Sequence, residues 1–234
     1  MAKKTKSITV SQYDYLIRNV TDEELEIHGH LNHHTEFDSD GLAVKEIRYM
    51  QDGSFEEMVT YEYENGKLIC ESYYPLEDEL AEQYFYRYND SGKITQATKQ
   101  YQDGSADVIE YHYNEAGLLI RKETINDENE IEQVERFEYE NGNLVKHETF
   151  DGEGELVSVP YSEPASEGNS RIERNEAGQI VYEEELNDDG DVIMSVKRTY
   201  LEEGEPDEVE VYLDGQGRRI SRHYILKYEY TYFD

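Results

Sequence analysis

The chain has 234 residues, with 55 Asp and Glu against 22 Lys and Arg, so its formal net charge is −33. This acidity excludes electrostatic attraction to a nucleic-acid backbone or an anionic membrane, because both would repel the chain. The single cysteine excludes an intrachain disulfide framework and fits a reducing compartment. No apolar run reaches the ~18 residues of a membrane-spanning helix. The basic residues at the start are not followed by the apolar segment of a signal peptide, so we expect a cytoplasmic protein.

Residues 1–34 are predicted to form an N-terminal edge segment, of which the first ten are a frayed or edge strand. Thr21 to Glu24 match a capping box, which could open one helical turn. Residues 25–31 alternate between apolar and other side chains, and this alternation favours a strand instead.

A histidine cluster in this segment is the best candidate for a metal site. His28 and His30 would share one strand face, with Glu26 beside them, because successive side chains of a strand point to opposite faces. Imidazole and carboxylate ligands suit zinc or nickel. The spacing fixes no second group of ligands, so a polar strand without metal is the favoured interpretation and the sequence predicts no cofactor.

A motif of about 25 residues recurs between residues 35 and 150. It consists of two aromatic residues separated by one position, a short turn rich in Asn, Asp and Glu, a glycine, any residue and an aliphatic residue. Weaker copies surround Gly41, Gly178 and Gly217, which gives about seven units and roughly 14 strands. The four clear copies contain Tyr61, Tyr63 and Gly66; Tyr86, Tyr88 and Gly92; Tyr111, Tyr113 and Gly117; and Phe137, Tyr139 and Gly142.

The glycines predict hairpin turns. Asn65-Gly66 and Asn141-Gly142 supply the positive φ angles that two-residue hairpins require. The longer turns that end at Gly92 and Gly117 suit a type I turn closed by a glycine bulge. A second set of turns is predicted at Gly53, Gly104 and Gly190. Two oxygen-rich segments, 38–41 and 187–191, resemble calcium loops, but they lack an EF-hand glutamate in register and a turn is the favoured interpretation.

These patterns predict an all-β fold: an elongated, twisted antiparallel meander of stacked β-hairpin repeats, largely single-layer or open and curved. Apolar residues flank the turns on both faces, which argues against a sandwich with one dry face. We expect one repeat domain over 1–234, with regular repeats in 35–150, a loop insertion in 151–170, and divergent repeats and a terminal strand in 171–234.

The motif from Tyr111 to Leu119, Tyr-x-Tyr-Asn-x-x-Gly-x-Leu, resembles the tyrosine–aspartate (YD) repeats of RHS proteins. The resemblance covers mainly residues 37–144. It implies hairpins stacked into a long spiralling sheet, which in large members forms a shell around a toxic C-terminal domain. This chain has too few units to enclose a cargo. Its units are longer than the usual unit of the family, and Asn or Glu replaces most of the Asp. It also has no recognisable self-cleavage core or toxin. The resemblance therefore implies a fold and an interaction role without encapsulation.

Catalytic signatures are missing from the sequence. No nucleophile elbow, P-loop or dinucleotide fingerprint occurs, and Cys70 lies mid-strand without an activating base, so we predict that the protein is not an enzyme. The repeat tyrosines could form a stacking platform for bases or sugars, but cross-strand packing is the favoured interpretation.

Three functions stay open. Because the net charge far exceeds the ~2–8 that keeps a small domain soluble, we expect a non-enzymatic module that binds a basic partner protein through an acidic β-repeat surface. A bacterial immunity or inhibitor protein, or an adaptor in a larger assembly, would fit. The alternative is a nucleic-acid mimic that occupies a DNA-binding or nuclease cleft. The third is a metal- or carbohydrate-binding surface module. The sequence does not indicate an oligomeric state.

Overall fold

The computed structural model describes residues 3–16, 26–158, 170–187, 189–215 and 221–234. Within these residues the regular elements are all β-strands and their pairings are antiparallel, so the predicted all-β meander of hairpins is confirmed. The described part of the chain contains no helix of the length and hydropathy needed to cross a bilayer. The strands are β1, Thr5–Leu16; β2, Glu26–Phe37; β3, Ala43–Tyr49; β4, Phe55–Glu64; β5, Lys67–Tyr74; β6, Glu82–Tyr88; β7, Ile94–Tyr101; β8, Ala106–Tyr113; β9, Leu119–Ile125; β10, Ile131–Glu140; β11, Asn143–Asp151; β12, Leu156–Ser158; β13, Ser170–Arg174; β14, Ile180–Leu186; β15, Val192–Tyr200; β16, Pro206–Leu213; and β17, Arg222–Tyr232.

The chain divides into two compact units. The terminal unit comprises Met1–Glu56 and Glu163–Asp234, and the middle unit comprises Glu57–Ser162. In the middle unit each strand from β4 to β11 pairs with the next strand in the sequence. In the terminal unit β13 to β17 pair in sequence, β17 pairs with β1, and β1 to β3 follow. That the whole chain is one repeat domain stays a prediction.

The first strand lies inside its unit, so the prediction of an N-terminal edge was wrong for β1. Ile8 lies opposite Tyr230 of β17 on one side and Thr35 of β2 on the other. Val10, two residues later on the same face, is fully buried. The apolar residues of β1 alternate with polar ones, and two flanking strands bury them. For the same reason the last strand, β17, is not a terminal edge, because it pairs with both β16 and β1.

The described residues form 17 strands rather than about 14, because some hairpins do not carry the motif. The predicted loop insertion 151–170 begins with the end of β11 and a tight turn, and it contains the short strand β12. Residues 159–169, the capping box at Thr21 to Glu24 and the motif copy at Gly217 lie outside the described residues.

Ten of the described turns share one hydrogen-bond pattern. The N–H of the first residue donates to the carbonyl of the fifth, and the N–H of the fourth donates to the carbonyl of the first. This is the predicted type I turn with a bulge, and it is confirmed at Gly92 and Gly117, whose φ angles are 82° and 77°. The two-residue turns are confirmed as well, because Asn65 and Asn141 have φ angles of 53° and 50°. The ten turns are 38–42, 50–54, 89–93, 101–105, 114–118, 126–130, 151–155, 175–179, 187–191 and 201–205.

Few side chains in the described residues are fully buried, and they lie mid-strand rather than beside the turns. Ala97 pairs with Ile109 across β7 and β8, and Val196 pairs with Val211 across β15 and β16. Most other strand residues are half-buried. The sheet is therefore stabilised chiefly by many cross-strand pairs, each contributing roughly 0.2–1 kcal/mol.

Candidate functional site

The repeat aromatics lie on one face of the middle unit, where they connect consecutive repeats. In two of the four clear motifs the second tyrosine reaches back to the preceding hairpin: the Tyr88 hydroxyl donates to the Leu68 carbonyl at 2.7 Å, and the Tyr113 hydroxyl donates to the Ile94 carbonyl at 2.8 Å. Each acceptor lies two residues after the glycine of the preceding repeat. In the terminal unit, Tyr200 donates to a carbonyl placed in the same way.

Lysines next to the turn glycines reinforce these connections. Lys67 and Lys93 each follow the glycine of one repeat, and each ammonium lies 5.2 Å from the ring centroid of the second tyrosine in the next repeat. The Lys93 ammonium also donates to the Gly117 carbonyl at 2.6 Å. Contacts of this kind give the repeat tyrosines a packing role.

The first aromatic residue of the motif contacts a side chain of the adjacent strand. The Tyr86 hydroxyl donates to Glu71 at 3.2 Å, and burial together with the nearby carboxylate raises the pKa of Tyr86. Phe137 stacks on His147, with ring centroids 4.4 Å apart. Tyr61 and Tyr111 are half-buried on the same face.

The carboxylates of the middle unit are concentrated at one end of its strands. Alternate turns of a meander lie at the same end, and we call the segments 75–81, 101–105, 126–130 and 151–155 the acidic rim. They carry three, one, three and three carboxylates, ten in total, and no Lys or Arg. These are Glu77, Asp78, Glu79, Asp103, Asp127, Glu128, Glu130, Asp151, Glu153 and Glu155.

The other end of the same strands is nearly balanced. Its turns, which we call the opposite rim, are the segments 64–67, 89–93, 114–118 and 140–143. They contain four carboxylates and two lysines, which leaves a net charge of −2 against −10 for the acidic rim.

The rim carboxylates face solvent. Nine of the ten residues are exposed, and Asp151 is half-buried. Hydrogen bonds from the Ser105 hydroxyl and backbone N–H lower the pKa of Asp103. Within the described residues, none of the ten side chains makes an ion pair.

Several carboxylates on the strands of the middle unit, in contrast, have cationic neighbours. Glu135 lies 2.7 Å from the Lys122 ammonium and 2.9 Å from His147, while Glu82 lies 2.9 Å from Lys99. Burial alone would raise the pKa of Glu135, but Lys122 and His147 outweigh it and hold that pKa below its ordinary value. The uncompensated charge of this unit is therefore concentrated on the acidic rim.

A cavity of about 420 Å³ opens between the first two turns of the acidic rim. Asp78, Glu79 and Tyr101 are among the residues that line it. The ring of Tyr101 already has the Lys99 ammonium 4.6 Å from its centroid. The turns are held together by the Gln102 N–H, which donates to the Ala81 carbonyl at 3.1 Å. The carboxylates of Asp78 and Glu79 suit the cationic end of a Lys or Arg side chain.

A second polar cluster of the middle unit was missed by the sequence analysis. Glu110, His112 and Glu123 bring one potential ligand atom each within 4.8 Å of the others. The His112 Nε2 lies 3.2 Å from Glu123, whose other oxygen bonds Arg121. Because Arg121 already neutralises Glu123, the cluster is best described as an ion-pair network. Only the pairing of β8 with β9 brings these residues together, so the linear sequence carried no signal for it.

The structure places the other predicted sites as follows. His28 and His30 lie on one face of β2, opposite Asp14 and Gln12 of β1, and the side chain of Glu26 lies outside the described part of the chain. Both oxygen-rich segments are turns: the side chains of Asp38 and Asn187 accept backbone N–H groups of their own loops. Cys70 is buried, and burial raises the pKa of its thiol, so its environment does not activate it.

Comparison with known proteins does not assign the chain to a family. No protein-family model and no curated protein matches the sequence. Among solved structures, the chain is similar to a porin-like protein from Bacteroides uniformis at 11% identity, over 98% of this chain and 99% of that one, with a TM-score of 0.42. A TcdB2-TccC3-TEV structure matches 88% of this chain with 16% of its own length, at 12% identity and a TM-score of 0.31. A porin-like protein from Bacteroides vulgatus matches 98% of this chain and 99% of its own, at 13% identity and a TM-score of 0.28. The chain has an all-β, repeat-like fold, and at these scores the three likenesses say nothing about its activity.

Proposed function

We propose that the protein is a non-enzymatic interaction module whose acidic rim binds a basic partner protein. The observation that carries the proposal is the segregation of charge in the middle unit: ten carboxylates and no cation on one rim, against a near balance on the other. Solubility alone would not require this asymmetry, because carboxylates spread over both rims would serve it equally well.

The spacing of the rim turns makes their fields add. Neighbouring rim turns are two strands apart, which corresponds to roughly 9.5 Å. This is about the Debye length at 0.1 M salt, so each turn feels the charge of the next. A surface of this kind attracts a basic protein from a distance and accelerates its association, and the effect weakens as salt rises.

The cavity between the first two rim turns gives the surface a point of specific contact. A Lys or Arg side chain that entered it would meet the carboxylates of Asp78 and Glu79. A cation held beside these carboxylates gains charge-assisted hydrogen bonds. We infer that this cavity receives an anchoring basic residue of the partner.

Two variants with equal charge change test the proposal. One is Glu77→Gln, Asp78→Asn and Glu79→Gln on the acidic rim, and the other is Asp90→Asn, Glu115→Gln and Glu140→Gln on the opposite rim. Each is used as bait for proteins of the source cell, at low and at high salt. We expect wild type and the opposite-rim variant to retain a basic protein at low salt, which the acidic-rim variant loses. Equal losses in the two variants, or no protein retained by wild type at low salt, would contradict the proposal.

The same experiment separates a basic partner in general from the nucleic-acid mimic. A mimic would occupy the DNA-binding surface of its partner, so added duplex DNA would release the captured protein. The rim supports mimicry less well, because its charge is less dense than that of DNA. Ten charges over the three intervals between the four rim turns, each roughly 9.5 Å, give one charge per ~3 Å. Duplex DNA has one charge per ~1.7 Å. An immunity or inhibitor protein, or an adaptor in a larger assembly, remains the biological role that we propose.

We further propose that the repeats are of the YD type. Their support is the recurring contact in which the second tyrosine of a motif, Tyr88 or Tyr113, donates to the carbonyl of the preceding repeat. This contact explains why a hydroxyl-bearing aromatic recurs at that position, since phenylalanine would fill the same space without the bond.

A further inference from the structure

His30 is a buried histidine with an unused ring nitrogen. Its side chain is only 4% exposed, and within the described residues its Nδ1 atom has no hydrogen-bond partner. A buried polar atom without a partner costs free energy, roughly 1–3 kcal/mol for an ordinary group. Such an atom needs an explanation, and a ligand that it binds is one.

The Asp14 carboxylate is separated from His30 by about the distance expected for two ligands of one metal ion. The Oδ2 atom of Asp14 lies 3.6 Å from His30 Nδ1, which is too far for a good hydrogen bond. Two atoms that bind the same tetrahedral ion at about 2.0–2.2 Å are roughly 3.4 Å apart. The pair is therefore already spaced to share an ion.

The carboxylate is oriented by a chain of hydrogen bonds. Asn32 donates to the side-chain oxygen of Gln12 at 3.0 Å, and the amide of Gln12 donates to Asp14 Oδ1 at 2.8 Å. This leaves Asp14 Oδ2 to face His30. Supporting bonds of this kind are typical around ligands of metal sites, where they fix the direction of the first-shell groups.

His28 supplies a third group on the same face. It lies two residues before His30 and directly opposite Asp14, and the two imidazole rings have centroids 6.4 Å apart. Its side chain is exposed, and its ring does not complete a group of three ligand atoms within 4.8 Å in the structure, so binding of an ion requires this ring to turn towards the pair.

The five described histidines outside the pair His28 and His30 differ from His30, because each has a polar partner. His34 lies 2.8 Å from the Thr9 hydroxyl, His147 pairs with Glu135, and His223 lies 2.8 Å from Glu210. His33 contacts the side chain of Asn32, and His112 contacts Glu123. The unused nitrogen is thus a property of one position and not of histidines in this sheet.

We propose that Asp14, His28 and His30 bind one divalent transition-metal ion, zinc or nickel, on the face of the terminal unit formed by β1 and β2. Two imidazoles and one carboxylate are a ligand set that these ions accept, and the fourth position is left to water or to a group from a partner. Asp14 replaces the Glu26 carboxylate that the sequence suggested. The site is independent of the acidic rim.

Calorimetric titration of the full chain with zinc and with nickel tests the site. We expect one equivalent to bind to wild type and to raise its melting temperature, since an ion that binds only the folded state stabilises it. His28→Gln should abolish this binding and the thermal shift, and because His28 is exposed the variant should fold normally. Asp14→Asn should have the same effect, and Gln12→Ala, which removes only the supporting bond, should weaken binding by about 10–100-fold.

His112→Gln is the matched control, because it removes a histidine from the one group in the described residues, Glu110, His112 and Glu123, whose three potential ligand atoms lie within 4.8 Å of one another. This variant should bind the ion as wild type does. Unchanged zinc and nickel binding in both His28→Gln and Asp14→Asn would overturn the proposal, and so would a loss of binding in the His112→Gln control. Failure of wild type to bind either ion with a definite stoichiometry would overturn it as well.

Discussion

Single hydroxyls of the repeat tyrosines connect one hairpin to the next, and their contribution can be measured one at a time. Tyr113→Phe removes the bond to the Ile94 carbonyl and keeps the ring under the Lys93 ammonium. We expect a loss of about 0.5–1.5 kcal/mol in the free energy of unfolding, because a partly buried carbonyl loses its donor. Urea denaturation measures the loss.

Tyr139→Phe is the matched control for this prediction. Tyr139 occupies the same motif position in the next repeat, and in the described part of the chain its hydroxyl makes no hydrogen bond. Its replacement should cost less than about 0.5 kcal/mol. Equal losses for the two variants would show that the hydroxyl bond does not hold the repeats together.

A buried carboxylate of the middle unit should make the stability depend on pH in the acid range. The pKa of Glu135 is lowered in the folded state, since Lys122 and His147 outweigh burial. Its contribution is therefore present above the unfolded pKa of about 4.3 and is lost as the pH falls through the lower folded value. We expect Glu135→Gln to cost about 1.5–3 kcal/mol at neutral pH and progressively less in acid, as measured by urea denaturation across pH.

The control for Glu135 lies on the same strand. Glu138 is 63% exposed, and its oxygen lies 3.7 Å from the Lys146 ammonium. Glu138→Gln should change the free energy of unfolding by no more than about 0.5 kcal/mol at any pH, since exposed ion pairs contribute little. A cost for Glu135→Gln that does not decline in acid would contradict the assignment.

At the scale of the element, the ten turns with the shared pattern contain one departure from glycine. Asn129 has a φ of 61° at the position that is glycine in the nine others. Asparagine tolerates this left-handed conformation, whereas residues without a short polar side chain lose roughly 1–2 kcal/mol there. We therefore expect Asn129→Ala to destabilise the protein by about 1 kcal/mol, and Asn129→Gly to leave it at least as stable as wild type.

The urea midpoints of the two variants test this prediction, with Glu128→Ala in the same turn as the control. Glu128 is exposed and does not have a positive φ, so its replacement should cost less than about 0.5 kcal/mol. An Asn129→Ala variant as stable as wild type would mean that the backbone of this turn relaxes to another conformation.

The turns also show how far the sequence alone could predict the fold. Local signals were sufficient where a glycine imposed a positive φ, and Gly66, Gly92, Gly117 and Gly142 all lie in the predicted turns. They failed at the turn 126–130, where Asn129 takes the place of glycine. They failed again at β1, because its pairing with β17 joins the two ends of the chain and no local pattern encodes a partner more than 200 residues away.

The candidate sites show the same division between local and long-range information. The sequence identified His28 and His30 because they are close in the chain, but it proposed Glu26 as the carboxylate and did not reveal Asp14. That contact depends on the register between β1 and β2, with its irregularity beside Val10. The acidity was evident from composition, but its concentration on one rim emerges only once alternate turns are assigned to one end of the strands.

For the whole molecule, the uncompensated acidity should make stability rise with salt. Carboxylates of the acidic rim repel one another within a Debye length, and modest screening relaxes this repulsion. We expect the melting temperature to increase between ~0.1 and ~0.5 M salt. The increase should be smaller in the Glu77→Gln, Asp78→Asn, Glu79→Gln variant than in the opposite-rim variant. A melting temperature that salt leaves unchanged or lowers would mean that the acids are already compensated.

The measurement that tests the central claim most directly is a map of where a basic ligand binds. Titration of the labelled protein with an arginine-rich peptide at low ionic strength, followed through its backbone amide NMR signals, gives that map. We predict that the largest shifts fall in the four acidic-rim segments, foremost in those that line the cavity at Asp78 and Tyr101, and that they vanish in high salt. Shifts spread equally over the acidic and opposite rims, or no shifts at all, would contradict the proposal that this rim is the binding surface.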